Sequence, residues 1–104
     1  MAVSGVALIH FNDLCKKNLS ARDYIEVASR YRGVLLDGIP VLDDQNRNEA
    51  RRFIWLIDAL YDAGCFVICC SEKPIERIYD GNDWSFEFER TTSRLTEMSN
   101  SQKL

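Results

Sequence analysis

The sequence has no glycine-rich phosphate cradle. Its five glycines, Gly5, Gly33, Gly38, Gly64 and Gly81, are scattered and none precedes a lysine. Neither G-x-x-x-x-G-K-S/T nor G-x-G-x-x-G can therefore be written. Phosphoryl transfer rests mainly on positioning and electrostatic stabilisation of phosphates, so this chain lacks the usual means to catalyse it alone. No apolar run reaches the roughly 18 residues of a membrane span. The start, Met1-Ala2-Val3-Ser4-Gly5, is neither a basic-then-apolar signal peptide nor an Arg-rich transit peptide, so the expected location is cytoplasmic. Thirteen Lys plus Arg against sixteen Asp plus Glu leave a formal charge of −3, which removes the electrostatic motive for non-specific nucleic-acid binding.

Histidine is nearly absent too. With His10 alone, a mixed His/Cys zinc site of the usual spacing has too few ligands. The four cysteines are Cys15, Cys65, Cys69 and Cys70, with no C-x-x-C dithiol among them. Three of them fall in Cys65-Phe66-Val67-Ile68-Cys69-Cys70, a continuous apolar run in which cysteine acts as a small buried hydrophobe. Neighbouring cysteines on a strand face opposite ways, so Cys69 and Cys70 make poor joint ligands. Burial, rather than metal or redox chemistry, is the expectation for all four.

What remains is ordinary globular material, 46% hydrophobic and 28% charged over 104 residues, enough for one domain. Val6-Ala7-Leu8-Ile9-His10-Phe11 suits a strand buried on both faces. A helix is expected from Ser20, where Ser20 and Asp23 approximate a capping box and Leu19 with Tyr24 a hydrophobic staple. Gly33 is placed to close that helix. Val34-Leu35-Leu36 is a second strand, stopped by Pro40. The strongest helix follows, with Asn46 and Glu49 at capping spacing and Ala50, Phe53, Ile54, Ile57, Leu60 and Tyr61 on one face, ending at Gly64. Its opposite face carries Arg51, Arg52, Trp55, Asp58 and Asp62. Phe66 to Cys70 is the third strand, and Phe86, Phe88, Thr91, Thr92, Leu95 and Met98 outline a last helix over roughly 86–98. The tail from Ser99 to Leu104 is polar and expected to fray.

The order β-α-β-α-β-α with short connections predicts an α/β fold with a small three-stranded, mainly parallel sheet flanked by helices. Three helices spread over both faces of such a sheet leave its edges exposed, which marks the chain as a piece of a larger α/β protein or a subunit that pairs. In parallel sheets, chemistry collects at the carboxyl ends of the strands. Asp37, delivered by Val34-Leu35-Leu36, has the look of a carboxylate aimed at Mg²⁺, but a turn cap or an arginine partner is the favoured reading. Arg90 and Arg94 lie four apart on one helix side, to form ion pairs with Glu87, Glu89 or Glu97 or to reach an anion such as a nucleotide phosphate. Arg51, Arg52 and Trp55 form an interface candidate, since Trp and Arg are enriched at binding hot spots.

The segments Asp37-Gly38-Ile39-Pro40-Val41-Leu42, Asn46-Arg47-Asn48-Glu49-Ala50-Arg51-Arg52-Phe53-Ile54, Leu56-Ile57-Asp58-Ala59-Leu60-Tyr61-Asp62 and Phe86-Glu87-Phe88-Glu89-Arg90-Thr91-Thr92-Ser93-Arg94-Leu95-Thr96-Glu97-Met98 together resemble the C-terminal part of the ZapE-type AAA+ ATPases, over roughly residues 5–98. At the third strand's end, where that family tends to have serine and small residues, this chain has Cys69-Cys70. The resemblance implies a P-loop ATPase architecture, with ATP and Mg²⁺ as cofactors of the intact protein and none for the chain alone. It implies as partners an N-terminal ATPase core that holds the phosphate loop, bacterial cell-division proteins and further copies of itself. It further implies that Arg90 and Arg94 are the family's characteristic arginines. An independent interaction module built on Arg51, Arg52 and Trp55 is the rival reading.

Overall fold

A computed structural model describes residues 2, 3 and 5–100. Strands β1 (Ala2–Val3), β2 (Val6–His10), β3 (Gly33–Ile39) and β4 (Phe66–Ser71) form one sheet in the order β1-β2-β3-β4. The pairs β2–β3 and β3–β4 are parallel, and only the short β1, which the sequence pattern did not announce, runs antiparallel to β2. The helices are α1 (Phe11–Cys15), α2 (Ala21–Arg30), α3 (Arg47–Asp62) and α4 (Ser85–Asn100).

The expected three-stranded parallel core is present, but its helices do not divide between two faces. Ala7, Val34, Leu36 and Val67 point into the helical layer and are buried, whereas Leu8 and Ile68, one position along, are 51% and 45% exposed. A contiguous apolar core joins these buried strand residues to Phe11, Tyr24, Phe53, Ile57, Leu60, Phe88 and Leu95 from α1 to α4. The physical reason lies in strand order. Parallel strands added in one direction, each through a crossover of the same hand, put every connecting helix on the same side. Val6–Phe11 is accordingly not buried on both faces. Phe11 also leaves the strand to open α1, where His10 Nδ1 accepts the Asn12 N–H at 3.1 Å as the N-cap.

Local signals fared unevenly. At Ser20 the box forms as expected, with the Ser20 N–H donating to the Asp23 carboxylate at 2.7 Å, and Tyr24 is fully buried with its hydroxyl donating to the Leu14 carbonyl at 2.7 Å. Gly33 does not close α2, which ends at Arg30; it begins β3 instead. There the ring of Phe66 lies so near that a Cβ would sit 2.3 Å from it, so any larger residue would have to displace that ring. Gly64 does stop α3, at a φ of +75°. The Asn46–Glu49 box is replaced by one a turn earlier, in which Asp43 accepts from the Gln45 N–H and Asn46 Oδ1 accepts from the Asp43 N–H. Phe86, expected on the apolar side of the last helix, is 80% exposed, while Phe88, Thr91, Leu95 and Met98 turn inward. Ser99, expected to fray, is helical and its hydroxyl donates to the Val67 carbonyl at 2.9 Å; the rest of the predicted tail, 101–104, lies outside the described residues.

An aromatic ladder ties the helical layer together. Phe53 on α3 stands 6.0 Å from both Phe11 on α1 and Phe88 on α4, and Phe88 stacks on Tyr79 at 4.5 Å. Asp44 then staples the loop before α4. Its carboxylate accepts the Tyr79 hydroxyl and the N–H groups of Asn82 and Asp83 at 2.9–3.1 Å. The Asp83 N–H, then the Tyr79 hydroxyl, then the Asn82 N–H hold that carboxyl below its ordinary range.

Candidate functional site

The carboxyl ends of β3 and β4 enclose an open cleft of about 350 Å³ lined by Asp37, Gly38, Pro40, Cys70, Ser71 and Glu72. The register between β3 and β4 shifts between Leu36 and Ile39, a stretch that includes Asp37. Asp37 is exposed and its carboxylate accepts the N–H of the next residue, Gly38, at 2.9 Å. Gly38, still within β3, has a φ of +74°, and a Cβ there would sit 2.2 Å from His10 Nε2, so the histidine ring lies against the backbone beside Asp37. Across the cleft, Glu72 Oε1 accepts the Val41 N–H at 2.9 Å while the Glu72 N–H donates to the Ile39 carbonyl at 3.0 Å. The two strand-end loops are thereby fastened to each other. Among the described residues no three His, Cys, Asp or Glu side chains gather as a metal site.

Arg90 and Arg94 lie elsewhere, between α3 and α4. Both reach Asp58: Arg90 Nη2 at 3.1 Å from Oδ2 and Arg94 Nη1 at 2.6 Å from Oδ1. Their acidic partner is on α3, and not Glu87, Glu89 or Glu97 of their own helix as the spacing suggested. Arg94 also lies over the Tyr61 ring at 4.6 Å, and the Tyr61 hydroxyl donates to Glu97 at 3.0 Å, a bond that pushes its pKa up. Arg90 has a side chain 53% exposed against 26% for Arg94, so Arg90 is the freer of the two to exchange partners. No hydrogen bond or ion pair among the described residues joins either arginine to Asp37.

The Arg51, Arg52 and Trp55 group divides. Arg52 is a structural tie, its guanidinium donating to the Cys15 carbonyl at 3.1 Å and to Asn18 at 3.5 Å. Arg51 instead lies over the indole of Trp55 at 4.9 Å. Beyond Trp55, a shallow groove of about 200 Å³ runs to Ala21 and Ile25 of α2, with Asp58 and Asp62 on its rim. Ile25, 62% exposed, extends this apolar strip, and nothing in the α2 pattern had marked it as surface. Asp58 is the residue that sequence reasoning missed most plainly. Two arginines four apart on one helix ask for a facing acid, but only packing reveals which helix supplies it.

The cysteines meet their expectation in part. Cys15 and Cys65 are buried, Cys69 is half-buried, and Cys70 is exposed at the cleft. Burial pushes the thiols of Cys15 and Cys69 up to about 12, so both stay protonated and unreactive at neutral pH.

Comparison with known proteins follows the same lines as the fold. The model of the AFG1-like ATPase family matches residues 1–104. The cell division protein ZapE of Escherichia coli is 36% identical over 96 residues, 92% of this chain but 26% of that protein. Lactation elevated protein 1 homolog B of Danio rerio is 32% identical over 93 residues, covering 89% of this chain and 18% of the relative. An uncharacterised Schizosaccharomyces pombe protein is 41% identical over 78 residues, covering 75% of this chain and 17% of its own length. No solved structure matches. The chain thus spans about a quarter, or less, of the relatives it matches. On the strength of a family match that runs its whole length, the chain belongs to the AFG1-like ATPase family.

Proposed function

We propose that this chain is the C-terminal α/β segment of a ZapE-like AAA+ ATPase acting in bacterial cell division, in which the N-terminal core holds ATP and Mg²⁺. The observation that carries the reading is a whole-length family match on a chain whose sequence contains no phosphate-binding glycine loop. Within such an enzyme the segment braces the core and presents its strand-end loops, and Asp37 with the half-exposed Arg90 are its groups available to a nucleotide. Arg94, clasped by Asp58 and stacked on Tyr61, serves mainly to lock α4 to α3. No described helix is long and apolar enough to cross a membrane.

Two measurements test the proposal. Calorimetric titration of the chain with Mg-ATP is expected to show no micromolar binding, because the electrostatic cradle on which phosphate binding depends is not in this sequence. A chimera in which this chain replaces the matched 96-residue segment of E. coli ZapE is expected to keep ATP turnover. Micromolar binding by the chain alone, or a folded chimera without turnover, refutes it.

The second reading, an interaction module, rests on the Arg51–Trp55 stack beside exposed Ile25. Trp55→Glu is then expected to abolish partner capture or self-association, and unchanged sedimentation and pull-down would refute it.

A further inference from the structure

Among the described residues, no helix covers the sheet's second face. From the amino to the carboxyl ends of the strands it presents Phe66 across Gly33, then the row Leu8, Leu35 and Ile68, and then the polar row His10 and Asp37, with Cys70 beyond. Leu8 and Ile68 are about half exposed, although they lie in mid-strand of a parallel sheet. Parallel sheets occur almost solely with both faces covered, since their strands are built from apolar residues on both sides. Three apolar side chains in register with Phe66 ahead of them, closed at one end by polar groups, therefore describe the bed of a missing layer.

The size of the bed argues for what lies in it. Three strands about 4.8 Å apart, with about five residues rising 3.3 Å each, make a footprint of roughly 250 Å². A stable complex between separate proteins needs about 800 Å² per partner. A second copy docked sheet-to-sheet would have less than a third of that. A cover held in the same polypeptide needs no such area, because its effective concentration is high. The relatives supply such a polypeptide, since about three quarters of ZapE lies outside the matched segment.

We propose that this face is the seat of the remainder of the ATPase, an amphipathic helical layer laid in cis over Phe66, Leu8, Leu35 and Ile68. It stops short of the polar row, so the Asp37–Glu72 cleft stays open while the apolar rows are sealed. The inference rests on the reading above that the chain is one segment of a larger ATPase, and it adds which surface receives the rest.

The test uses the E. coli ZapE chimera and the chain by itself, both carrying Cys70→Ser to remove the exposed native thiol. Leu8→Cys and Ile68→Cys place reporters on the bare face, and Ile25→Cys places one on the outside of α2. Maleimide labelling at positions 8 and 68 is expected to be about tenfold slower in the chimera than in the chain, with position 25 unchanged. A reporter at position 37 (Asp37→Cys) is expected to label equally in both. Equal labelling of positions 8 and 68 in chimera and chain overturns the inference, whatever the turnover. Protection of those positions in the chain alone, growing with concentration, overturns it in favour of a second copy. Protection in a chimera without turnover upholds the docking surface and removes the ATPase reading instead, so the two fail separately.

Discussion

The two faces of one sheet teach different things about this chain. On the helical side, Ala7, Val34, Leu36 and Val67 meet a layer of aromatic and aliphatic side chains and are sealed from water. On the other side, residues of the same type in the next register position stand half in solvent. Equal hydrophobicity therefore has unequal energetic weight, because only the covered face exchanges contact with water for contact with protein.

Substitutions can break or sharpen this contrast. Phe53→Ala removes the middle ring of the ladder between Phe11 and Phe88 and is expected to destabilise by about 3–5 kcal/mol in chemical denaturation. If it costs no more than a change on the open face, the assignment of the core to one side fails. Asp58→Ala leaves two arginines without their acid and is expected to cost about 1–2 kcal/mol, loosening α4 from α3, read as faster amide exchange along α4. Gly38→Ala forces a Cβ against His10 at a positive-φ position of β3 and is expected to cost about 1 kcal/mol.

Acid sharpens the comparison from another direction. The Asp44 carboxyl is held below its ordinary value by hydrogen bonds to it, so its contribution is fully present above the ordinary carboxylate pKa and is lost as pH falls through the depressed folded value. Melting temperature followed downward from pH 5 is expected to fall less steeply in Asp44→Asn than in the native chain. The smallest effect belongs to the bare face, where Ile68→Lys is expected to shift the chain's stability by no more than about 0.5 kcal/mol. A large loss there would mean that this face is already buried.

The three parallel strands, the three longer helices and some of their stops were legible in the sequence, whereas the short β1 and α1 were not. Ser20 with Asp23 announced one cap, Gly64 one stop, and the 3.6-residue spacing in Arg47–Asp62 the longest buried stripe. Errors arose wherever a residue answered to a neighbour far along the chain. Gly33 stands at helix-stopping spacing, but it opens β3 under the ring of Phe66 from another strand. Arg90 and Arg94 were read against the glutamates of their own helix, but Asp58, more than thirty positions away, holds them. Asp37 was legible as a strand-end carboxylate, and its place beside Glu72 in one cleft was not.

By itself, the sequence determined the alternation of strand and helix, the lack of a phosphate cradle, and the residue patterns shared with AFG1-like ATPases. These follow from periodicity, turn chemistry and motif, all of which act over a few residues. Which side of the sheet each strand's apolar residues would face was decided only in three dimensions. Period-two alternation is the same whether one face is covered or both, and strand order, which no local signal encodes, sends every crossover helix to a single side.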